Sequence, residues 1–504
     1  MNKAFTRGTG GAAQAWVTAR PRSPKPAAIM SVSTAPTPAA PPAAPPVPDG
    51  LPPRQRLIAM VAVAIAISIS VLVGSIANVA LPTIARDMGV TPADSIWVVN
   101  AYQLAVTVAL MPCASLGDVY GHRRVYVWGL VLYTMGSLLC AVAPSLPLLV
   151  AARVLQGLGG AGIMSVNGAL IRFIFPRAQL GRGIGYNVLV VAASSAAGPS
   201  VAAAIMAVAS WPWLFAVQVP FGVVSWWLSL RYLPRSPSSG HRFDPLSAVL
   251  NAIAFGTLIP ALDGIGRGWS GTSILLLAAV GLVFGTVFVR RQLTLRAPML
   301  PVDLFARPVF ALSVATAACV HGAQMIALIA LPFWFQYVGH MTPIEIGVLI
   351  TPWPAVLVIV APIAGRLADR YPAGLLGGIG LAVMTLGLVL VLTMPADAGG
   401  FAIAWRLMVC GTGFGFFQAP NNRLIIGSAP PDRVGAGSGM VSTARLVGQT
   451  TGSALVAVMF GLTHDGPDPV TAGMHLSLGL AAGFAALGTV LSWARLAGGK
   501  AAPG

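Results

Sequence analysis

The stretch Leu116-Gly117-Asp118-Val119-Tyr120-Gly121-His122-Arg123-Arg124 links two apolar runs, at about 95–115 and 125–143. Each run is about 20 residues long, the length that crosses a bilayer as a helix. The link itself holds a carboxylate, a glycine turn and a basic cluster. A tight turn of this kind lets Asp118 accept hydrogen bonds from a helix N-terminus or pair with Arg123 or Arg124. A second copy, Gly365-Arg366-Leu367-Ala368-Asp369-Arg370-Tyr371-Pro372, follows another apolar run. It keeps the acid and an arginine but has Pro372 where the first copy has Gly121. Paired loops of this chemistry predict a latch on one side of a membrane protein.

Outward from these loops the apolar runs continue in both directions. The N-terminal set falls at about 57–80, 95–115, 125–143, 148–170, 183–206 and 211–232. Two more fall at about 246–264 and 272–290. A last six fall at about 309–335, 344–364, 374–394, 400–424, 436–460 and 473–495. The expected fold is an all-α membrane protein of 14 transmembrane helices. Composition agrees: 56% of the 504 residues are hydrophobic and 9% charged, against about 25% charged in a soluble domain. The net charge of +17 is explained by arginines on one side. Arg123, Arg124, Arg172, Arg182, Arg231, Arg290, Arg291, Arg366, Arg370 and Arg495 fall in alternate links, whereas the opposite links hold Arg86 and Arg267. By the positive-inside rule both termini are then cytoplasmic. No basic stripe with interleaved aromatics points to nucleic acid.

The chain also repeats itself. Ala80-Leu81-Pro82 returns as Ala330-Leu331-Pro332, Asp118 as Asp369 and Arg153 as Arg406, each about 250 residues on. That spacing predicts two related six-helix halves, 54–235 and 309–495, separated by an inserted helix pair at 236–308. Residues 1–53, rich in Ala, Pro and Ser, are expected to be a disordered cytoplasmic tail, with Met30 a candidate start, and 496–504 a C-terminal tail. Parallel halves around a mid-membrane site are a known transporter plan. The four cysteines, Cys113, Cys140, Cys319 and Cys410, have no metal or redox spacing and read as small hydrophobes.

These features resemble the major facilitator superfamily, whose signature between helices two and three is G-x-L-A-D-R-x-G-R-R. The first copy departs at Ala114 and Val119. Asn78-Val79-Ala80-Leu81-Pro82, Trp97-Val98-Val99-Asn100-Ala101-Tyr102, Trp211-Pro212-Trp213-Leu214-Phe215 and Val219-Pro220-Phe221-Gly222 are similar to the fourteen-helix drug/proton antiporters of EmrB/QacA type. The resemblance covers about residues 55–495. It implies the major facilitator fold arranged as 6+2+6 helices in the cytoplasmic (inner) membrane of a bacterium. The implied activity is proton-coupled export of small organic compounds by a monomeric unit. A dedicated metabolite or siderophore exporter, an importer, and a non-transporting receptor or scaffold remain alternatives. No metal spacing, nucleophile elbow or phosphate loop appears, so neither an enzyme nor a cofactor is expected.

Particular residues then take expected roles. Gly117, Asp118, Gly121, Arg123 and Arg124, with Gly365, Asp369 and Arg370, form the paired gating motifs. Arg153 matches the family's R-x-x-Q-G pattern and shares a helix face with Gln156, Gly157 and Gly160. It is a candidate for proton coupling or a structural arginine bonded to carbonyls. Gly198-Pro199 matches the core of the antiporter motif, with Ser194, Ala202 and Ala203 in place of its other glycines; a plain packing kink is the other reading. The family commonly has an Asp in helix one, where this chain has Val73. His321, in the repeat partner of helix one, is a candidate proton carrier, a hydrogen-bonded core residue or a substrate contact. Asn100, Gln103, Gln156, Gln324, Asn421, Asn422 and Arg445 are candidate cavity residues, with Asn167, Asn187, Gln218 and Gln418 beside them. No acid falls mid-helix, so neutral or anionic substrates are expected over lipophilic cations.

Overall fold

The computed structural model describes residues 50–236, 243–295, 298–368, 370–395, 398–429, 434–464 and 466–498. Asp369 and the expected N-terminal tail up to residue 49, Met30 included, lie outside the described residues. Among the described residues every regular element is helical. The long helices are α1 (Pro53–Met88), α2 (Trp97–Tyr120), α3 (His122–Ala141), α4 (Leu146–Ile174), α5 (Leu180–Val208), α6 (Gln218–Tyr232), α7 (Pro245–Gly266) and α8 (Gly271–Thr294). They continue as α9 (Pro308–Tyr337), α10 (Pro352–Leu367), α11 (Ala373–Leu392), α12 (Gly400–Gly427), α13 (Val434–Leu462) and α14 (Pro469–Gly498). Short helices Pro92–Ser95, Trp213–Ala216 and Pro343–Ile350 lead into α2, α6 and α10. Among the described residues, 13 helical segments are long and apolar enough to cross a membrane. The remaining one, α13, is 29 residues long, but Arg445, Gln449 and several Gly, Ser and Thr residues dilute it.

The outer surface explains the composition. Leu275, Leu276, Leu282 and Val283 on α8 are each more than half exposed. Such a stripe is costly in water and at home against lipid, where helices satisfy their own backbone.

Packing among the helices recurs. α3 packs along α4, α2 along α4, α1 against α5 and α6, and α3 against α6. Eight helices later, α11 packs along α12, α10 along α12, α9 against α13 and α14, and α11 against α14. Glycines set the closest approaches in both copies. A Cβ on Gly159 would strike the Tyr133 backbone and lie 2.7 Å from Gly129 O; one on Gly413 would strike the Met384 backbone and lie 2.5 Å from Gly380 O. Gly136 faces Gln156 in the same way that Gly387 faces Cys410. This corrects one sequence match. The step that takes Gly159 to Gly413 and Gln156 to Cys410 takes Arg153 to Leu407, so Arg406 stands one position out of register. Leu407 is buried, and Arg406 instead donates to Leu390 O at 3.1 Å and Ala402 O at 2.7 Å.

One helix end differs from expectation, and a second helix keeps its proline inside as expected. α1 runs through Pro82 to Met88 and stops at Gly89, whose φ of 65° suits a glycine. α12 runs through Pro420 to Gly427. Proline is tolerated inside both because packed neighbours can serve the carbonyl it frees.

The pair α7 and α8 forms a hairpin. Asp244 caps α7 through Ser247 N at 3.3 Å and accepts from Arg291 of α8 at 3.0 and 3.1 Å. α7 is tied to α2 by Asn251 Nδ2 donating to Val108 O at 2.8 Å. At its other end Asp263 accepts from Trp97 Nε1 at 2.7 Å and pairs with Arg267 at 2.6 Å; Arg267 also reaches Asp94 at 3.1 Å. α7 also packs closely on α13, where Gly266 leaves no room for a Cβ beside Val458.

Candidate functional site

The two recurring sets of helices meet through α1 with α9, α2 with α13 and α5 with α10. Between them lies a cavity of about 650 Å³, within the range of about 300–1,000 Å³ that holds small organic ligands. Its walls come from α1, α2, α4 and α5 on one side and α9, α10, α12 and α13 on the other. The side-chain bonds across the seam lie at one end and midway along it. Thr83 donates to Gln336 at 3.4 Å, the Ser200 and Thr351 hydroxyls lie 2.7 Å apart, and Gly347 seats against Pro199 and Ala203. Midway, Gln103 donates to Gln449 at 3.3 Å and the Thr107 and Thr450 hydroxyls lie 2.9 Å apart. Toward the opposite end the lining continues down to Gly185, Pro362 and Asn422. That is the end of the arginine-rich links.

Of the residues expected to line a cavity, Gln103, Gln324, Asn422 and Arg445 do so, together with His321. Asn187 and Gln418 do too. Asn100, Gln156 and Asn421 do not. Asn100 is buried with both amide atoms unpartnered. Asn421 accepts from Arg495 at 2.6 Å and donates to Ser313 O at 3.1 Å. Gln156 accepts from Arg153 at 2.6 Å and donates to the Ser137 hydroxyl at 2.8 Å. Helical period shows which residues share a face but not what that face meets. The cavity also uses Tyr102, Ser70, Asn78, Phe414 and Gln449, which were not expected there. One signal was available: Gln449 lies one helical turn beyond Arg445, on the same face.

The candidate coupling residues sit differently. Arg153 is fully buried in α4, and its Nε donates to Val98 O at 2.7 Å. Its guanidinium lies 4.4 Å from the centroid of the Tyr102 ring. Because Tyr102 lines the cavity and Arg153 does not, the arginine stands behind that ring. His321 meets the cavity directly. Its Nδ1 lies 2.8 Å from Ala317 O. A carbonyl only accepts, so Nδ1 donates to it and Nε2 is the nitrogen left for a further partner. The ring makes an edge contact with Phe414, 5.4 Å between centroids.

The first gating loop has a different pairing from the one expected. Asp118 pairs with His122 at 3.2 Å and is 63% exposed. Arg123 donates instead to Leu230 O, and Arg124 is exposed. Gly121 has φ 97° and separates α2 from α3 without a longer loop; a side chain there would strain the backbone. A Cβ on Gly117 would lie 2.6 Å from Val166 of α4. In the second loop Gly365 lies in the last turn of α10 with open space around it, and Arg370 is exposed. Gly198 and Pro199 are buried in α5 at the closed end of the seam.

The family model described as Major Facilitator Superfamily matches residues 63–453. The chain belongs to this superfamily. It is 50% identical over 450 residues, 89% of this chain and 97% of the relative, to the uncharacterized transporter YebQ of Escherichia coli strain K12. It is 31% identical over 406 residues, 80% of this chain and 75% of the relative, to the multidrug resistance protein Stp of Mycobacterium tuberculosis strain CDC 1551 / Oshkosh. Among solved structures it is similar to a bacterial homologue of the human lysosomal transporter Spinster in an inward-facing, unoccupied conformation. That likeness has a TM-score of 0.65 at 15% identity and covers 88% of this chain and 97% of the other. The chain is thus a multi-pass membrane transporter of this superfamily, and not an enzyme.

Proposed function

We propose that this transporter exports small organic compounds across the cytoplasmic membrane in exchange for protons. Two six-helix halves, α1–α6 and α9–α14, rock around the central cavity, and α7–α8 is an inserted pair. This makes 14 spans arranged 6+2+6, with both termini cytoplasmic and one chain as the transport unit, as in the EmrB/QacA-type antiporters. The observation that carries the reading is the cavity itself, walled by four corresponding helices from each set. Its seam is bonded at one end and midway, while its lining continues toward the arginine-rich end, which suits a state open to the cytoplasm. The relatives include a multidrug resistance protein, which supports export of foreign compounds.

The two gating loops act at the cytoplasmic end. The Asp118–His122 pair, exposed on its aspartate side, contributes little to folding, so its value lies in what it does during opening and closing. Everted membrane vesicles supplied with a substrate panel, with and without a proton gradient, test the reading. Uptake that collapses when the gradient is removed is expected. Asp118→Asn should abolish that uptake with expression unchanged. Uptake indifferent to the gradient would remove the proton from the cycle.

A further inference from the structure

We infer that the cavity is built for an amphipathic organic monocarboxylate, held by its carboxylate on Arg445. This deepens the proposed function and rests on the cavity being the transport site. Arg445 lines the cavity from α13. Its Nε is buried and has no hydrogen-bond partner. An arginine within the membrane is costly unless it faces protein acceptors or water, and this one faces a partly polar cavity. No aspartate or glutamate is among the described residues lining that space. The cation therefore has no counter-charge from the protein at this site.

The remaining lining limits what can answer it. Gln103, Gln418, Gln449 and Asn422 offer amide donors and acceptors, which accommodate the rest of a polar head. Phe414 and Leu328 offer an apolar wall for a flat body. A guanidinium matches a carboxylate as a fork with two parallel bonds. A zwitterion would bring an ammonium group that meets no acid. A phosphate dianion would bring a second charge, and beside Arg445 the described lining holds only His321, whose Nδ1 is already engaged with Ala317 O. One carboxylate on an uncharged, largely apolar body fits all three conditions. Its seat lies at the seam, because Gln103 of α2 bonds Gln449, one turn from Arg445. Cargo held there touches both sets of helices.

The test uses the full-length purified protein and three probes sharing one ring system: 2-naphthoate, 2-naphthamide and (2-naphthyl)methylammonium. Binding is measured by titration calorimetry on the native chain, Arg445→Gln and Arg445→Lys, each first shown to unfold at the native temperature within a few degrees. The native chain should bind naphthoate, and Arg445→Gln should weaken this about tenfold or more. Naphthamide binding should change by less than about twofold. Arg445→Lys should recover part of the loss, since it keeps the charge without the fork. Naphthoate binding untouched by Arg445→Gln, or naphthylmethylammonium bound as tightly as naphthoate, would overturn the monocarboxylate assignment and leave the cavity as a binding site. Failure of the native chain to bind any of the three would overturn the cavity as the site, and the assignment with it.

Discussion

Arg153 on α4 and Arg445 on α13 are both arginines inside long helices, and they differ in what their guanidinium groups have left to bind. Arg153 donates to Val98 O and Gln156, lies against the Tyr102 ring, and has one nitrogen, Nη2, without a partner. Arg445 lines the cavity with a buried, unpartnered Nε. The first charge is absorbed by the protein; the second is offered to whatever enters. A buried cation whose acceptors are supplied by its own fold holds helices together, here α4 to α2. A cation left unanswered beside a cavity is available for function. The repeat sharpens the point. Leu407 occupies the place in the second helix set that Arg153 occupies in the first, and Cys410 stands where Gln156 stands. The fold therefore does not require an arginine–glutamine pair at this position; only one set carries it.

The largest expected effect breaks the comparison directly. Arg153→Met should cost about 3 kcal/mol or more, since two hydrogen bonds from a charged group, each worth about 1.5–3 kcal/mol, are lost and their acceptors stay buried. Arg445→Met should change stability by less than about 1 kcal/mol, because it removes no protein hydrogen bond. Thermal unfolding of both purified variants in one detergent checks this. Equal losses would mean that Arg445 is held by the protein after all.

A smaller effect tests the acceptor side. Gln156→Leu leaves Arg153 Nη1 without its 2.6 Å partner, next to an Nη2 that already lacks one. A loss of about 2 kcal/mol is expected, from a hydrogen bond to a charged group. The same substitution should leave binding in the cavity unchanged, since Gln156 does not line it. A drop in affinity with stability intact would move Gln156 back among the ligand contacts.

The fold was legible because lipid imposes a simple rule: each span must be apolar over about 20 residues. Every apolar run became a helix. One end was less legible, since Pro82 marks a break in water but not between packed helices. The repeat was legible only to within a residue. Arg153 and Arg406 look like partners by eye, yet the glycine contacts place Leu407 there. The cavity was half legible. Gln103, His321, Gln324, Asn422 and Arg445 were found as polar residues in apolar helices, and Asn100, Gln156 and Asn421 met the same criterion while facing other helices. Polarity marks a residue that needs a partner; only packing tells whether that partner is protein or cargo. The link at Asp118 was legible as a turn, but its pairing with His122 depends on how the break at Gly121 sets the start of α3 beside the end of α2, and the arginines nearby gave no sign of it.

The smallest expected effect concerns the wall between the two arginines. Tyr102 lines the cavity, carries Arg153 at 4.4 Å from its ring, and donates from its hydroxyl to Ser70 O at 3.2 Å. Tyr102→Phe keeps the ring and removes only that last bond, so it should cost less than about 1 kcal/mol. The ring still covers Arg153, and 2-naphthoate should bind within about twofold of the native affinity. If affinity for the anion rises in Tyr102→Phe, the hydroxyl rather than the ring is what kept cargo away from Arg153. The contrast between a spent charge and an available one would then depend on a single hydrogen bond.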